Sequence, residues 1–193
     1  MEPIELRWPG RAELPSYVAA LEQGWSPNTM DDEAGRRQLV EIENDADRFI
    51  ASLSMEPGSS GVPVQLPDGS VARRIPGYDR WIWDGEFCGR IGFRWQPGTE
   101  DLPPHVLGHV GYAVVPWKRR RGYASTALRL LLDDVAELGL RWIDVTTEPD
   151  NVASQRVIEK AGGRFVERFR YPSGYDRADG LRYRVTPGVS SAL

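Results

Sequence analysis

Ile4, Leu6 and Trp8 alternate with polar residues and predict a strand that stops at Pro9-Gly10. Leu14, Val18 and Leu21 share one face of a short helix over Leu14–Gln23, whose first turn accommodates Pro15. Further on, Leu39, Ile42, Ala46, Phe49, Ile50 and Leu53 recur at spacings of three and four. That spacing predicts one long amphipathic helix from Asp31 to Ser54, with Asp31 or Asp32 as its N-cap. Residues 56–77 are rich in Gly, Pro and Ser and lack periodicity, which predicts a long loop.

From Trp81 the pattern changes period. Trp81 and Trp83, the turn Asp84-Gly85, and then Phe87, Gly89, Ile91 and Phe93 predict two adjacent antiparallel strands. A proline-bearing stretch, 96–107, separates them from the strand His109–Val115, which Pro116 stops. Leu128, Leu131, Leu132, Val135 and Leu138 mark a helix closed by Gly139. A strand through Trp142, Ile143, Val145 and Thr147, the turn 148–151, a helix over Val152–Ala161, and strands near 164–171 and 181–186 complete a mixed α/β chain.

The length of 193 residues suits a single domain spanning 1–193. No apolar run approaches a membrane span, and the first residues lack a signal peptide's pattern, so a cytoplasmic protein is expected. One cysteine, Cys88, excludes an internal disulfide or a multi-cysteine metal site, and two histidines, His105 and His109, argue against a metal centre. Basic residues number 24 and acidic residues 28, a net charge of −4 that disfavours a broad nucleic-acid surface. All the basic residues except Lys118 and Lys160 are arginine, and three of those arginines stand together at 119–121.

That cluster directly precedes a helix. A helix start presents unpaired N–H groups and a positive dipole end, which suits a phosphate. Gly122 permits close approach and Ala124 is small, while Lys118 to Arg121 add positive charge; a solvated basic run before an ordinary helix reads the same residues differently. Neither a G-x-x-x-x-G-K-[ST] loop nor a G-x-G-x-x-G fingerprint occurs.

Strand, proline and R-x-x-G-x-A opening a helix, with Arg119, Gly122 and Ala124 at the defining positions, resemble motif A of the GNAT-fold N-acetyltransferases. Asn151-Val-Ala-Ser154 and the helix running to Gly162-Gly163 resemble the same family's motif B. His109-x-Gly-Tyr resembles a bacterial branch of predicted acetyltransferases, and the Asn-x-x-Ser pattern resembles the ribosomal-protein N-terminal acetyltransferases. The resemblance implies a GNAT fold: a mixed sheet of six to seven strands, splayed at its middle and flanked by about four helices. It divides the chain into a variable acceptor-side region (1–77), a cofactor-binding and catalytic core (78–186) and a tail (187–193).

It also implies acetyl-CoA as co-substrate, without a metal. The pyrophosphate would rest on backbone N–H groups from Arg120 and Arg121 through Gly122, Tyr123 and Ala124 to Ser125, with Arg119 alongside. The pantetheine would pair with the backbone of Val114 and Val115, and Asn151 would orient it. The acceptor would be a small-molecule amine or a peptide N-terminus, with neither nucleic acid nor membrane as partner; a homodimer is among the expectations. His109 is the first candidate base, since an ordinary imidazole titrates near ~6.5, with Asp144 and then Glu148 behind it. The usual motif-B tyrosine is replaced by Ile158, so Ser154 is the expected acid, with Tyr112 and Tyr171 in reserve. That replacement keeps open a catalytically weak acyl-CoA-binding or regulatory module.

Overall fold

The N-terminal alternation becomes a short strand, β1 (Glu5–Arg7), in a computed structural model that describes residues 3–28, 31–59, 63–66, 68–172, 174–175 and 178–188. Helix α1 (Leu14–Glu22) follows with Pro15 in its first turn and buries Leu14, Tyr17, Ala20 and Leu21. The predicted long helix is two: α2 (Ala34–Asn44) and α3 (Ala46–Ser52). Asp45 breaks it, adopting extended backbone (φ −160°) and turning its carboxylate to accept the Arg48 N–H at 3.0 Å. An aspartate competes with the helix for local N–H groups, so the stripe continues across the break while the axis does not. Residues Leu39, Ile42, Ala46, Phe49, Ile50 and Leu53 still pack on one cluster.

The stretch expected to be a loop contains short pairings: β2 (Ser54–Met55), and a small hairpin of β3 (Val64–Gln65) and β4 (Val71–Ala72). The remaining elements are β5 (Gly77–Trp83), β6 (Phe87–Arg94), β7 (Val110–Val114), α4 (Tyr123–Val135), β8 (Ile143–Thr147), α5 (Val152–Lys160), β9 (Arg164–Arg170) and β10 (Asp179–Val185). Eight strands form one sheet in the order β1-β5-β6-β7-β8-β10-β9, with β2 added against β5. The mixed α/β architecture is the expected one, with one more strand and one more helix. Of the expected tail, residues 189–193 lie outside the described residues.

Each sheet face has its own core. Helices α4 and α5 cover one face through Leu128, Leu131, Val135 and Ile158, packed on Ile82, Ile91, Val110 and Val145. The other face carries α1 and α3 against Trp81, Trp83, Phe87, Ala113 and Val115, with Tyr17 stacked on Trp81 at 4.6 Å. Gly89 permits both: it adopts φ +153°, and a Cβ there would strike the Ala113 carbonyl oxygen of β7. The register shift beside it, between Ile82 and Trp83, lets Phe87 face the α1 cluster and its neighbour Cys88 the α4 cluster.

Removing the cap at the helix break isolates a local contribution. Asp45→Ala is expected to cost about 1 kcal/mol, read as a lower urea midpoint with an unchanged m-value.

Candidate active site

β6 and β7 pair at five positions, and so do β8 and β10, but the parallel pair β7–β8 is joined at one, Val110 with Val145. Beyond that rung the two strands part. Antiparallel alternation sends the N–H and C=O groups of Gly111, Ala113 and Val115 to β6 and those of Tyr112 and Val114 toward β8. Tyr112 and Val114 therefore face a gap lined by main-chain groups. Val115, expected to line the groove, does not: its N–H donates to the Cys88 carbonyl at 3.0 Å and its side chain is fully buried. Alternation gives that role to Tyr112 instead, two residues before Val114.

His109 holds the closed end of the gap. Its backbone N–H donates to the Asp144 carbonyl at 2.7 Å, and its Nδ1 accepts the Asp144 N–H at 2.9 Å. The ring is wholly buried, and burial pulls its pKa down to about 4. With Nδ1 accepting, the ring proton sits on Nε2, which has no hydrogen-bond partner among the described residues. An imidazole in this state is neutral at pH 7 and has no free lone pair with which to take a proton. The Asp144 carboxylate is engaged as well, with Arg184 at 2.9 Å and Arg182 at 3.3 Å. Both expected bases thus serve to link strands. Arg182 and Arg184 also line, with Leu102, Pro104 and Leu107, a 260 Å³ cavity beside Asp144.

At the open end, β7 leads through a single 3₁₀ turn (Pro116–Lys118) into α4. Gly122 is the N-cap at φ +86°, in open space, with no side-chain cap and no acidic residue in the first turn. The N–H groups of Tyr123, Ala124 and Ser125 are left as an uncapped helix start. Among the described non-glycine residues only Arg120 has positive φ (62°), so the turn before the helix is tightly coiled. Arg120 and Arg121 are exposed and make no ion pair with the described residues, while the Arg119 Nε donates to the Val114 carbonyl at 3.1 Å.

Lys118 is elsewhere. Its ammonium reaches Glu86 at 2.7 Å and both Asp84 oxygens at 3.0 Å, and these bonds raise its pKa despite partial burial. The hydroxyl of Tyr123 donates to the same Asp84 and its ring is buried, leaving only its backbone to the helix start. Cys88 donates to Asp84 at 3.0 Å as well, and burial first, then Asp84, pushes its pKa up to about 12. Helix α4 is thereby pinned to the β5–β6 turn.

Opposite, Asn151 caps α5: its Oδ1 accepts the Ser154 N–H at 3.0 Å. Ser154 Oγ and the Tyr112 hydroxyl lie 2.7 Å apart, joining α5 to β7. Burial, the largest influence, raises the Tyr112 pKa to about 12, so the phenol keeps its proton. Ile158, one turn on, lies fully in the core. Tyr171 is buried at the end of β9, against Phe169 at 5.3 Å and Tyr175 at 5.4 Å. Tyr112, expected only as a reserve acid, shares with Val114 the positions of β7 that face the gap, a placement its even-numbered spacing from Val114 signals.

Among the described residues no group of three or more His, Cys, Asp or Glu is arranged to hold a metal, and no described helix is long and apolar enough to cross a membrane. A family model described as an acetyltransferase (GNAT) domain matches residues 72–164. Comparison with curated proteins finds no match. Among solved structures, Mycobacterium smegmatis RimJ in complex with CoA-disulfide superposes with TM-score 0.63 at 18% identity, over 96% of this chain and 82% of that one. RimL, a ribosomal L7/L12 alpha-N-protein acetyltransferase bound to coenzyme A, gives 0.59 at 16% over 95% and 93%. The microcin C7 self-immunity acetyltransferase MccE, bound to acetyl-CoA and AMP, gives 0.59 at 11% over 96% and 93%. At these identities the likeness is one of fold.

The clasp has a pH signature. An unfolded histidine takes a proton near ~6.5 while buried His109 resists until about 4. Its contribution is constant above pH 6.5 and is lost as the pH falls toward 4, by up to about 3 kcal/mol. His109→Asn keeps an oxygen for the Asp144 N–H and removes that titration. Its urea midpoint is expected to fall less than that of the unsubstituted protein between pH 7 and 4.5; parallel declines would refute the assignment.

Proposed function

We propose that the chain is a GNAT acetyltransferase, a reading supported by the family model over residues 72–164 and by the shared fold, and that it is an acetyl-CoA-dependent N-acetyltransferase acting on a primary amine of a small molecule or a peptide N-terminus. The observation that carries the reading is the gap between β7 and β8, which opens toward an uncapped helix start.

The residues fit the co-substrate. Uncapped N–H groups at Tyr123 to Ser125, the open space at Gly122 and the exposed Arg120 and Arg121 suit a pyrophosphate. Main-chain groups of Tyr112 and Val114 suit a pantetheine arm, whose amides would otherwise lose hydrogen bonds on leaving water. Asn151 supports this arm at one remove, by fixing the first turn of α5. Acetyl-CoA supplies a thioester: the amine nitrogen bonds to the acetyl carbon, the C–S bond breaks, and the proton the amine loses balances the one the thiolate gains.

Each remaining task falls to this chain. The N–H groups of Tyr112 and Val114 polarise the carbonyl in the gap. The Ser154 hydroxyl, coupled to the Tyr112 hydroxyl, faces the sulfur as hydrogen-bond donor and proton source. With His109 and Asp144 committed to strand links, the amine must arrive neutral or lose its proton to water. The site is read as part of one domain, with residues 1–77 shaping the acceptor side. A second reading, a catalytically weak acyl-CoA-binding module, draws on this same lack of a free base.

Two measurements test the proposal. Gly122→Asp places a carboxylate in the phosphate position and is expected to weaken acetyl-CoA binding at least about tenfold in calorimetry. Gly122→Asn, which tolerates the same backbone, should lose much less; equal affinities for all three proteins would contradict the placement. Turnover with an amine acceptor should rise with pH toward the acceptor's own pKa, and Ser154→Ala should lower kcat about tenfold or more. Acetyl-CoA binding without turnover across a broad amine panel would favour the second reading.

A further inference from the structure

On the sheet face away from α4 and α5, the row shared by β5, β6 and β7 changes character along its length. At one end it carries Trp81, Ala113 and Val115 beneath α1. At the other, Gly77 and Gly92 are buried, Gly92 beneath the Asp79–Arg90 pair, and Gly111 lies beside the Arg94 side chain. A methyl group on Gly111 would lie 3.3 Å from the Arg94 Nη2, so the guanidinium extends over β7, next to the Val110–Val145 rung where the gap begins.

The neighbouring charges do not neutralise Arg94. Asp79 is consumed by Arg90, in a bidentate pair of 2.6 and 2.9 Å, and Arg90 also donates to the Pro27 carbonyl at 3.0 Å. Arg74 donates to the Ser52 carbonyl at 2.9 Å. Arg94 is solvent-accessible, and its side chain forms neither ion pair nor hydrogen bond with the described residues. Lost hydration and then the charge of Arg90 pull its pKa below the ordinary arginine value. Its backbone N–H donates to the His109 carbonyl at 2.9 Å, which ties the guanidinium's base to the clasp of the gap.

A planar guanidinium with its donors open, lying over Gly111 where no side chain intervenes, suits a carboxylate. We propose that Arg94 selects the acceptor: the amine delivered to the gap belongs to a molecule with a carboxylate a few bonds from that amine, held by Arg94 beside Gly111. The inference rests on the acetyl-transfer reading and narrows its acceptor class. The carboxylate has two sources, the α-carboxylate of a free amino acid or the side chain of an N-terminal Asp or Glu.

The experiment compares free amino acids with their amides, and tetrapeptide amides beginning with Asp or Glu with those beginning with Asn or Gln. In at least one series kcat/KM for the acid should exceed that for its neutral partner about tenfold or more, and that series identifies the source. Arg94→Gln should bring the ratio within about threefold, chiefly through KM, with the acetyl-CoA Kd unchanged. Arg94→Glu should turn the preference toward acceptors bearing a second cation. Acetyl-CoA binding with equal use of acids and amides, with no acceptor in either series, or with the preference intact in Arg94→Gln, overturns the inference alone. Failure to bind acetyl-CoA overturns the acetyl-transfer reading as well.

Discussion

A single rung between two parallel strands sets the geometry of this protein. Had β7 and β8 paired along their length, the main-chain groups of Tyr112 and Val114 would be spent on the ladder and the sheet would be closed. With no rung at all, the β5–β7 half would have nothing to align it with the β8–β10 half. The Val110–Val145 pair, reinforced by the two bonds between His109 and Asp144, holds the halves at one end and lets them diverge at the other. Helices α4 and α5 each follow a diverging strand, and the contact between Tyr112 and Ser154 joins β7 to α5 across the opening. A buried neutral imidazole suits the clasp because it accepts one N–H without bringing a charge into the core.

Segments whose fate is decided by neighbours in sequence were legible in advance. The strand, turn and helix around Gly122 were placed correctly, because a glycine with positive φ, a basic turn and a leucine stripe are all local signals. The long helix was not, since a stripe at spacing three and four persists through a break, and Asp45 leaves its mark only in its own capping bond. Lys118 was credited to the phosphate site, yet its partner Asp84 is 34 residues away and the contact exists only once the β5–β6 turn has formed. The roles of His109 and Asp144 were likewise invisible, because a histidine bound to a backbone N–H across strands looks in sequence like any candidate base.

The arginine excess acquires a pattern in three dimensions. Most of the interior arginines are balanced: Arg90 by Asp79, Arg182 by Asp144 and Glu167, Arg184 by Asp144, and Arg80 by Asp134. Arg141 anchors the 96–107 stretch by its pair with Glu100, whose carboxyl it holds down to about 2. Planar, multiply donating side chains suit these cross-strand links better than ammonium groups. Among the arginines without a carboxylate partner in the described residues, Arg120 and Arg121 stand at the open end of the gap and Arg94 beside the rung that closes it.

The knot at Asp84 reaches beyond architecture. Its carboxylate takes bonds from Lys118, Tyr123 and Cys88 together, so the thiol is both enclosed and held as S–H. With its pKa pushed up to about 12 and its sulfur buried, the thiol stays protonated at pH 7. While folded, the chain therefore meets electrophiles and oxidants as though it had no cysteine. A thiol engineered anywhere on its surface would carry a fluorophore or spin label alone, without removal of the native sulfur.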